Sequence, residues 1–217
     1  CQYIEENRNN SYLFRVTYYG KRINLEVFHV LTDGTGALNF LKELAYQYLR
    51  LSHAELREKY PDKLSSHTSL NTEDSFLSNY KKSKLTKGYK SGKAYILKGP
   101  LFPIGKMGIL SGYMPLEEVK QAARSYDATI NEYLVAVFVW AVYQAYLKGM
   151  PSKNPISISV PVNLRPYFNS VTTKNFFVMV TSSFSPKREN QPFEEVLAEV
   201  KASLREQINK KRLEEIF

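Results

Sequence analysis

Residues 22–36 have the sequence RINLEVFHVLTDGTG, and the change of pattern along this stretch decides the predicted fold. Up to His29, apolar and polar residues alternate, which is typical of a β-strand. An alternating run before the turn at Tyr19-Gly20-Lys21 makes this strand the second of a predicted β-hairpin. Asp33-Gly34-Thr35-Gly36 then ends the strand, and apolar residues recur at helical spacing from Ala37 to Tyr48. The stretch therefore predicts a strand, a tight turn and a helix.

The rest of the chain continues to mix helices and strands, which predicts the α+β class. Residues 52–101 are polar and rich in lysine, as expected of a long connection. Strands are predicted at Lys106–Met114, Ile156–Val162 and Phe176–Phe184, with a turn at Asn163–Pro166. Helices are predicted from Pro115 to Ala123, from Thr129 to Leu147 and from Phe193 to Ile216, the second of them opened by a capping box of Thr129 and Glu132.

The composition indicates a folded protein without disulfides or a membrane span. Hydrophobic residues make up 43% of the 217 residues and charged residues 24%. The single cysteine, Cys1, cannot form a disulfide within the chain, so a reducing compartment, the cytoplasm, is expected. The longest apolar stretch, Leu134–Val142, is far shorter than the ~20 residues that cross a bilayer.

The chain is basic, with 30 Lys and Arg against 21 Asp and Glu. Its basic clusters are consistent with a solvated face or with a patch that attracts phosphate. They contain no nucleic-acid-binding motif, so no nucleic-acid partner is expected. The clusters lie at Lys81–Lys84, Lys87–Lys93 and Lys210–Arg212.

His29 is the residue with the clearest chemical potential. It lies at the end of a predicted strand, before a polar turn, where a scaffold presents functional groups. Imidazole titrates near pH ~6.5 and therefore serves as a general base near neutrality. The alternative is a hydrogen-bonded histidine of the core.

Asp33 has three possible roles, which are to orient His29, to cap the following helix or to form a salt bridge, and capping is favoured. Gly34 and Gly36 either expose N–H groups to an anionic oxygen or simply permit the turn.

Other site classes lack their motifs. His53 and His67 have no neighbouring cysteine or histidine, so no metal site is expected. The sequence has no dinucleotide-binding or P-loop glycine motif and no Gly-x-Ser-x-Gly elbow.

The run His29-x-x-x-Asp33-Gly34, with a strand before it and a helix after it, resembles the signature of the CoA-dependent acyltransferase superfamily. A second stretch resembles a downstream region of the same superfamily. It consists of residues 160–166, with the sequence VPVNLRP, followed by Asn175-Phe176-Phe177. The predicted helix that starts at Thr129-Ile130-Asn131 also lies where relatives have a helix. The segments are most similar to the alcohol acetyltransferase-like branch, beside peptide-synthetase condensation domains and chloramphenicol acetyltransferase.

The resemblance implies a two-lobe chloramphenicol acetyltransferase-like sandwich that transfers an acyl group from a CoA thioester to an alcohol without a covalent intermediate. It implies that His29 is the general base and that Asp33 has a structural role, paired to Arg165. Gly34 would keep the turn close to the reacting centre, and the backbone near it is a candidate donor to the oxyanion. Asn175, at a position where relatives have a polar group facing the substrate tunnel, is a second candidate donor to the oxyanion.

The sequence departs from the family at two points. Phe28 stands where many relatives have a second histidine. Relatives are also longer, so the chain is expected to hold the rear of the N-terminal lobe at 1–104 and the front of the C-terminal lobe at 105–217, and to be inactive by itself. The alternatives are a non-catalytic relative that binds or scaffolds, and a condensation-type domain that takes its acyl group from a carrier protein.

Overall fold

A computed structural model describes residues 12–60, 72–81 and 92–215 of the chain. The predicted α+β class is confirmed, since helices are combined with two small sheets, β1–β2 and β3–β4. Predictions about Cys1, His67 and the basic residues 82–84 and 87–91 lie outside the described residues. The elements are β1 (Phe14–Tyr19), β2 (Arg22–Val27), α1 (Gly34–Ser52), α2 (Ala54–Lys59), α3 (Ser75–Asn79), α4 (Leu116–Ser125), α5 (Ile130–Leu147), β3 (Ile156–Asn163), α6 (Arg165–Phe168), β4 (Phe177–Phe184), α7 (Phe193–Gln207) and α8 (Lys210–Glu214).

The chain forms two compact units. Of the described residues, unit 1 holds 12–60, 72–81 and 163–178, and unit 2 holds 92–162 and 179–215. Segment 163–178 thus belongs to the same compact unit as the N-terminal part of the chain. The expected division into 1–104 and 105–217 concerned lobes of a family fold, and it stays a prediction.

Unit 1 begins with the predicted hairpin. β1 and β2 pair antiparallel, with Phe14 opposite Val27 and Tyr19 opposite Arg22. Gly20 lies in the turn with φ of 56°, a left-handed conformation that favours glycine. β2 ends at Val27, two residues before the predicted end at His29, and the predicted helix is α1, which starts at Gly34, three residues before Ala37.

Unit 2 contains most of the buried apolar side chains. α5 begins with the predicted capping box, in which Thr129 and Glu132 each bond the other's backbone N–H. It ends before Lys148 and Gly149, both of which have positive φ. α5 and α7 pack against each other, and Tyr143 of α5 contacts Phe184 of β4 edge to face. The fully buried side chains here include Ala136, Val139, Tyr143, Val180, Phe184, Val196, Val200 and Leu204.

α5 is also long and apolar enough, by length and composition alone, to cross a membrane. About a third of it, 33%, is buried in the protein, and core helices of soluble proteins have the same properties. The absence of a membrane span therefore stays a prediction.

Three local predictions were wrong. Lys106–Met114 forms no strand, and Ile109 and Leu110 are 84% and 100% exposed, since no strand among the described residues pairs with this segment. Of the turn predicted at Asn163–Pro166, Asn163 is the last residue of β3, and Arg165 and Pro166 begin the short helix α6. The last helix ends at Gln207, because Asn209 Oδ1 accepts from Arg212 N–H and starts α8.

Candidate active site

His29 lies in a turn of unit 1 directly beyond the hairpin. β2 ends at Val27, and the N–H of Leu31 donates to the carbonyl of Phe28 at 2.9 Å, which closes the turn. The His29 side chain is exposed, and its ring lies 5.7 Å from the ring of Phe177, centroid to centroid. No hydrogen bond to its imidazole is found within residues 12–60, 72–81 and 92–215. His29 is therefore not the buried core histidine that the sequence left open.

An open pocket of about 330 Å³ lies beside His29. Its wall is mainly apolar, from β2 and the first turns of α1, with a polar edge at the turn between them. The lining residues are Leu25, Val27, His29, Thr32, Asp33, Gly34, Ala37, Leu38 and Leu41. A small apolar molecule with one polar group matches such a lining.

The hydrogen bonds of Asp33 within the described residues do not involve His29; they hold the start of α1 and a distant segment of unit 1. Oδ1 accepts from the N–H groups of Thr35 and Gly36 at 3.1 and 3.0 Å, so Asp33 is the N-cap of α1. Oδ2 accepts from Arg165 Nη1 at 2.9 Å and from Phe176 N–H at 2.8 Å. Two of the roles left open by the sequence, helix capping and ion pairing, are thus combined in one buried carboxylate.

These donors also set the ionisation of Asp33. Burial raises the pKa of its carboxyl, but the hydrogen bonds from Arg165, Phe176 and Gly36, with the charge of Arg165, outweigh burial and hold the pKa below its usual value. The side chain is therefore a carboxylate at neutral pH and has no proton to exchange with a substrate.

Arg165 is the partner that the resemblance implies for Asp33. It is buried, and its guanidinium also donates to the carbonyls of Thr172 and Lys174 at 2.8 and 2.7 Å and to Asn163 Oδ1 at 3.0 Å. One side chain thus binds both ends of the loop between β3 and β4 and the turn after β2.

Segment 172–177 lies against the turn that carries His29. Thr32 Oγ1 donates to the carbonyl of Thr173. Gly36 is buried here, and a Cβ on it would overlap both Thr32 Oγ1 and the Thr173 carbonyl oxygen. Sequence reasoning did not find this requirement for Gly36, because it depends on a segment far away along the chain.

Gly34 has a different environment. A Cβ on Gly34 would meet nothing within 4 Å, and the residue lines the open pocket. Among the first N–H groups of α1, those of Thr35 and Gly36 donate to Asp33 Oδ1 and that of Ala37 donates to the Asp33 carbonyl. The N–H of Gly34 has no acceptor among the described residues.

Asn175 contacts the backbone of the same turn. Its Nδ2 donates to the carbonyl of His29 at 3.0 Å and lies 3.4 Å from that of Val30. Its Oδ1 is buried and has no partner among the described residues. The structure thus brings together His29, Asp33, Gly34, Arg165 and Asn175 in unit 1.

Searches of protein-family models, of curated proteins and of solved structures found no match to this chain. Within the described residues, no three His, Cys, Asp or Glu side chains are grouped so that they could hold a metal ion. The chemistry of the site must therefore be argued from its own residues.

Proposed function

We propose that this protein is an acyltransferase that moves an acyl group, most simply acetyl, from a CoA thioester to an alcohol, with His29 as the general base. The observation that carries the proposal is the exposed imidazole of His29, without a hydrogen bond to the described residues, beside an open and mainly apolar pocket. A base must be able to reach its substrate, and no hydrogen bond from the described residues occupies this imidazole. The fold proposed with this activity is the two-lobe chloramphenicol acetyltransferase-like sandwich.

The reaction requires one proton to move twice. His29 takes the proton of the acceptor hydroxyl while the oxygen attacks the thioester carbonyl carbon. The tetrahedral intermediate collapses, the carbon–sulfur bond breaks, and the imidazolium returns the proton to the leaving thiolate. The products are an ester and free CoA, and no covalent enzyme intermediate is needed, because binding both substrates together orients the attack.

Asp33 and Arg165 have a structural role in this proposal. The two oxygens of Asp33 already accept four hydrogen bonds, and none of these comes from His29. The pair instead holds the turn and the start of α1 in place. The N–H of Gly34, which lacks an acceptor in the described part of the chain, is the proposed donor to the oxyanion.

The substrates follow from the lining and the charge. Leu25, Val27, Leu38 and Leu41 favour an acceptor with an apolar body. The net charge of +9 favours a donor that carries phosphates, as CoA does. Both substrates are small molecules, and the proposed location is the cytoplasm.

Replacement of His29 by alanine tests the proposal. Release of thiol from acetyl-CoA in the presence of an alcohol is followed with the full-length protein. We expect His29→Ala to lower kcat by about 10²- to 10⁴-fold, the usual contribution of a general base. His53→Ala is the matched control, because His53 is also an exposed histidine of unit 1 and pairs only with Glu55 among the described residues.

Three other results would contradict the proposal in different ways. Unchanged turnover in His29→Ala eliminates His29 as the base. Turnover by the wild type with a carrier-bound thioester, but not with acetyl-CoA, indicates a condensation-type domain. Binding of an alcohol without turnover of either donor indicates a non-catalytic relative.

A further inference from the structure

The backbone of His29 lies beyond the reach of the hairpin ladder. The last backbone bond between the two sides of the hairpin is Phe28 N–H to the carbonyl of Leu13 at 2.8 Å. The carbonyls of His29 and Val30 come after this bond, and neither is part of a strand or helix. Besides the bond from Leu31 N–H to the Phe28 carbonyl, the groups that bind these two carbonyls hold the backbone that carries the His29 ring.

In the described part of the chain, the carboxamide of Asn175 is the group that binds them. Nδ2 carries two hydrogens, and it lies 3.0 Å from the His29 carbonyl oxygen and 3.4 Å from that of Val30. Rotation of the amide by 180° would place Oδ1 against two other acceptors. The amide therefore has a single favourable orientation.

This orientation has an energetic cost that the protein does not recover within the described residues. Asn175 Oδ1 is buried and lacks a hydrogen-bond partner there. Buried polar atoms without partners are rare and often lie at functional sites. The neighbouring residue, Phe176, donates its N–H to Asp33 Oδ2, and the next, Phe177, places its ring beside that of His29. Three consecutive residues thus contact the turn between β2 and α1.

We propose that Asn175 is a positioning residue that fixes the backbone of His29, and through it the direction of the imidazole. Only the expected effect on kcat rests on the proposed function; the positioning of His29 itself does not. It also changes the role expected for Asn175, because an amide nitrogen that donates to two backbone carbonyls has no hydrogen left for a substrate oxyanion.

Asn175→Asp isolates the donor. Aspartate has nearly the same shape as asparagine, but its carboxylate has no N–H and places a charged oxygen against the His29 carbonyl. We expect kcat to fall by about 10- to 100-fold, the effect of a misplaced catalytic group, with KM for acetyl-CoA changed by less than about two-fold. Asn175→Ala, which adds no charge, is the second variant if the aspartate variant does not fold.

NMR of the histidine rings gives a readout that does not depend on activity. The chain has only three histidines, so the ring C–H signals of His29 can be assigned by its alanine variant. Both Asn175 variants should shift or broaden the His29 signals and leave those of His53 in place. The matched control is Asn24→Ala, because Asn24 is a half-buried asparagine of unit 1 whose Nδ2 bonds Thr17 Oγ1 at 3.5 Å instead of the turn.

The two proposals fail in different ways. His29 signals that do not move in folded Asn175→Ala overturn the positioning role, whatever the activity. If the His29 signals move but the wild type shows no turnover with any thioester, the positioning of His29 holds and the acyltransferase function fails. A rise in KM for acetyl-CoA with kcat unchanged would also overturn the positioning role, since it would indicate that Asn175 binds the donor.

Discussion

Asp33 in unit 1 and Glu132 in unit 2 are both buried acids at the beginning of a helix, and each is paired with an arginine. Their exposed fractions are equal, 6% each. Asp33 caps α1, and Glu132 accepts from the N–H of Thr129 in the capping box of α5. The partners differ, since the side chain of Arg165 is 9% exposed and that of Arg205 is 54% exposed.

The same two effects set the ionisation of both acids. Burial raises the pKa of each carboxyl, and hydrogen bonds from its arginine and from backbone N–H groups lower it by more, so the pKa of each lies below its usual value. What differs is the fate of the cation if the acid is removed. Arg205 can be hydrated, whereas Arg165 would stay buried without its carboxylate.

Removal of the Asp33 carboxylate should therefore have the largest effect. We expect Asp33→Ala to lower the free energy of unfolding by about 3 to 5 kcal/mol, since it leaves a buried cation unpaired and removes the N-cap of α1. Urea unfolding followed by circular dichroism measures the loss. Glu117→Ala is the control, because Glu117 pairs with Lys120 on the surface and its removal should cost less than about 0.5 kcal/mol.

Measurement of the free energy of unfolding of wild type and Asp33→Ala at falling pH tests how the ionisation of Asp33 contributes to stability. The pKa of Asp33 is lower in the folded protein than the ~3.9 of an unfolded chain, so its contribution is complete above about pH 4 and is lost as pH falls through the folded value. The stability of Asp33→Ala should consequently depend less on pH below 4 than that of the wild type. A variant that is as stable as the wild type but inactive would mean that Asp33 acts on His29 directly.

The next largest loss of stability is expected where segment 172–177 approaches α1 closely, at Gly36. Gly36→Ala would place a methyl group where Thr32 and Thr173 already lie, and we expect a loss of about 1 to 3 kcal/mol. Gly34→Ala is the matched control two residues away, where the methyl group meets open space and the expected change is within about 0.5 kcal/mol. Equal losses in thermal or urea unfolding would show that helix geometry, and not this contact, requires the glycine.

The contrast between the two acids also shows what a sequence reveals. The partners of Glu132 in the capping box lie three positions away, and a local pattern was enough to predict them and the helix to Leu147. Arg165 follows Asp33 at a separation of 132 residues. No periodicity connects the two, and only the resemblance to a family paired them.

Long-range contacts also account for the errors. Lys106–Met114 has the composition of a strand, but a strand requires a partner, and the described residues supply none. The role of Gly36 depends on the path of residues 172–177, and the role of Asn175 depends on the carbonyls of His29 and Val30. The α7–α8 break is local, since Asn209 caps a new helix, and an asparagine inside a helical pattern was the signal that could have revealed it.

Arg205→Ala should destabilise the protein less than Asp33→Ala and Gly36→Ala do. It tests directly whether the exposure of the arginine sets the cost of breaking the ion pair. Its Nε lies 2.6 Å from Glu132 Oε1, which is a shorter contact than the 2.9 Å between Arg165 and Asp33. If distance determined the cost, Arg205→Ala would be the more damaging change. If exposure determines it, water replaces the lost partner, Glu132 keeps the N–H of Thr129, and the loss is much smaller than that of Asp33→Ala. Urea unfolding at pH 7 separates the two outcomes, and a loss as large as that of Asp33→Ala would show that the exposure of the arginine does not set the cost.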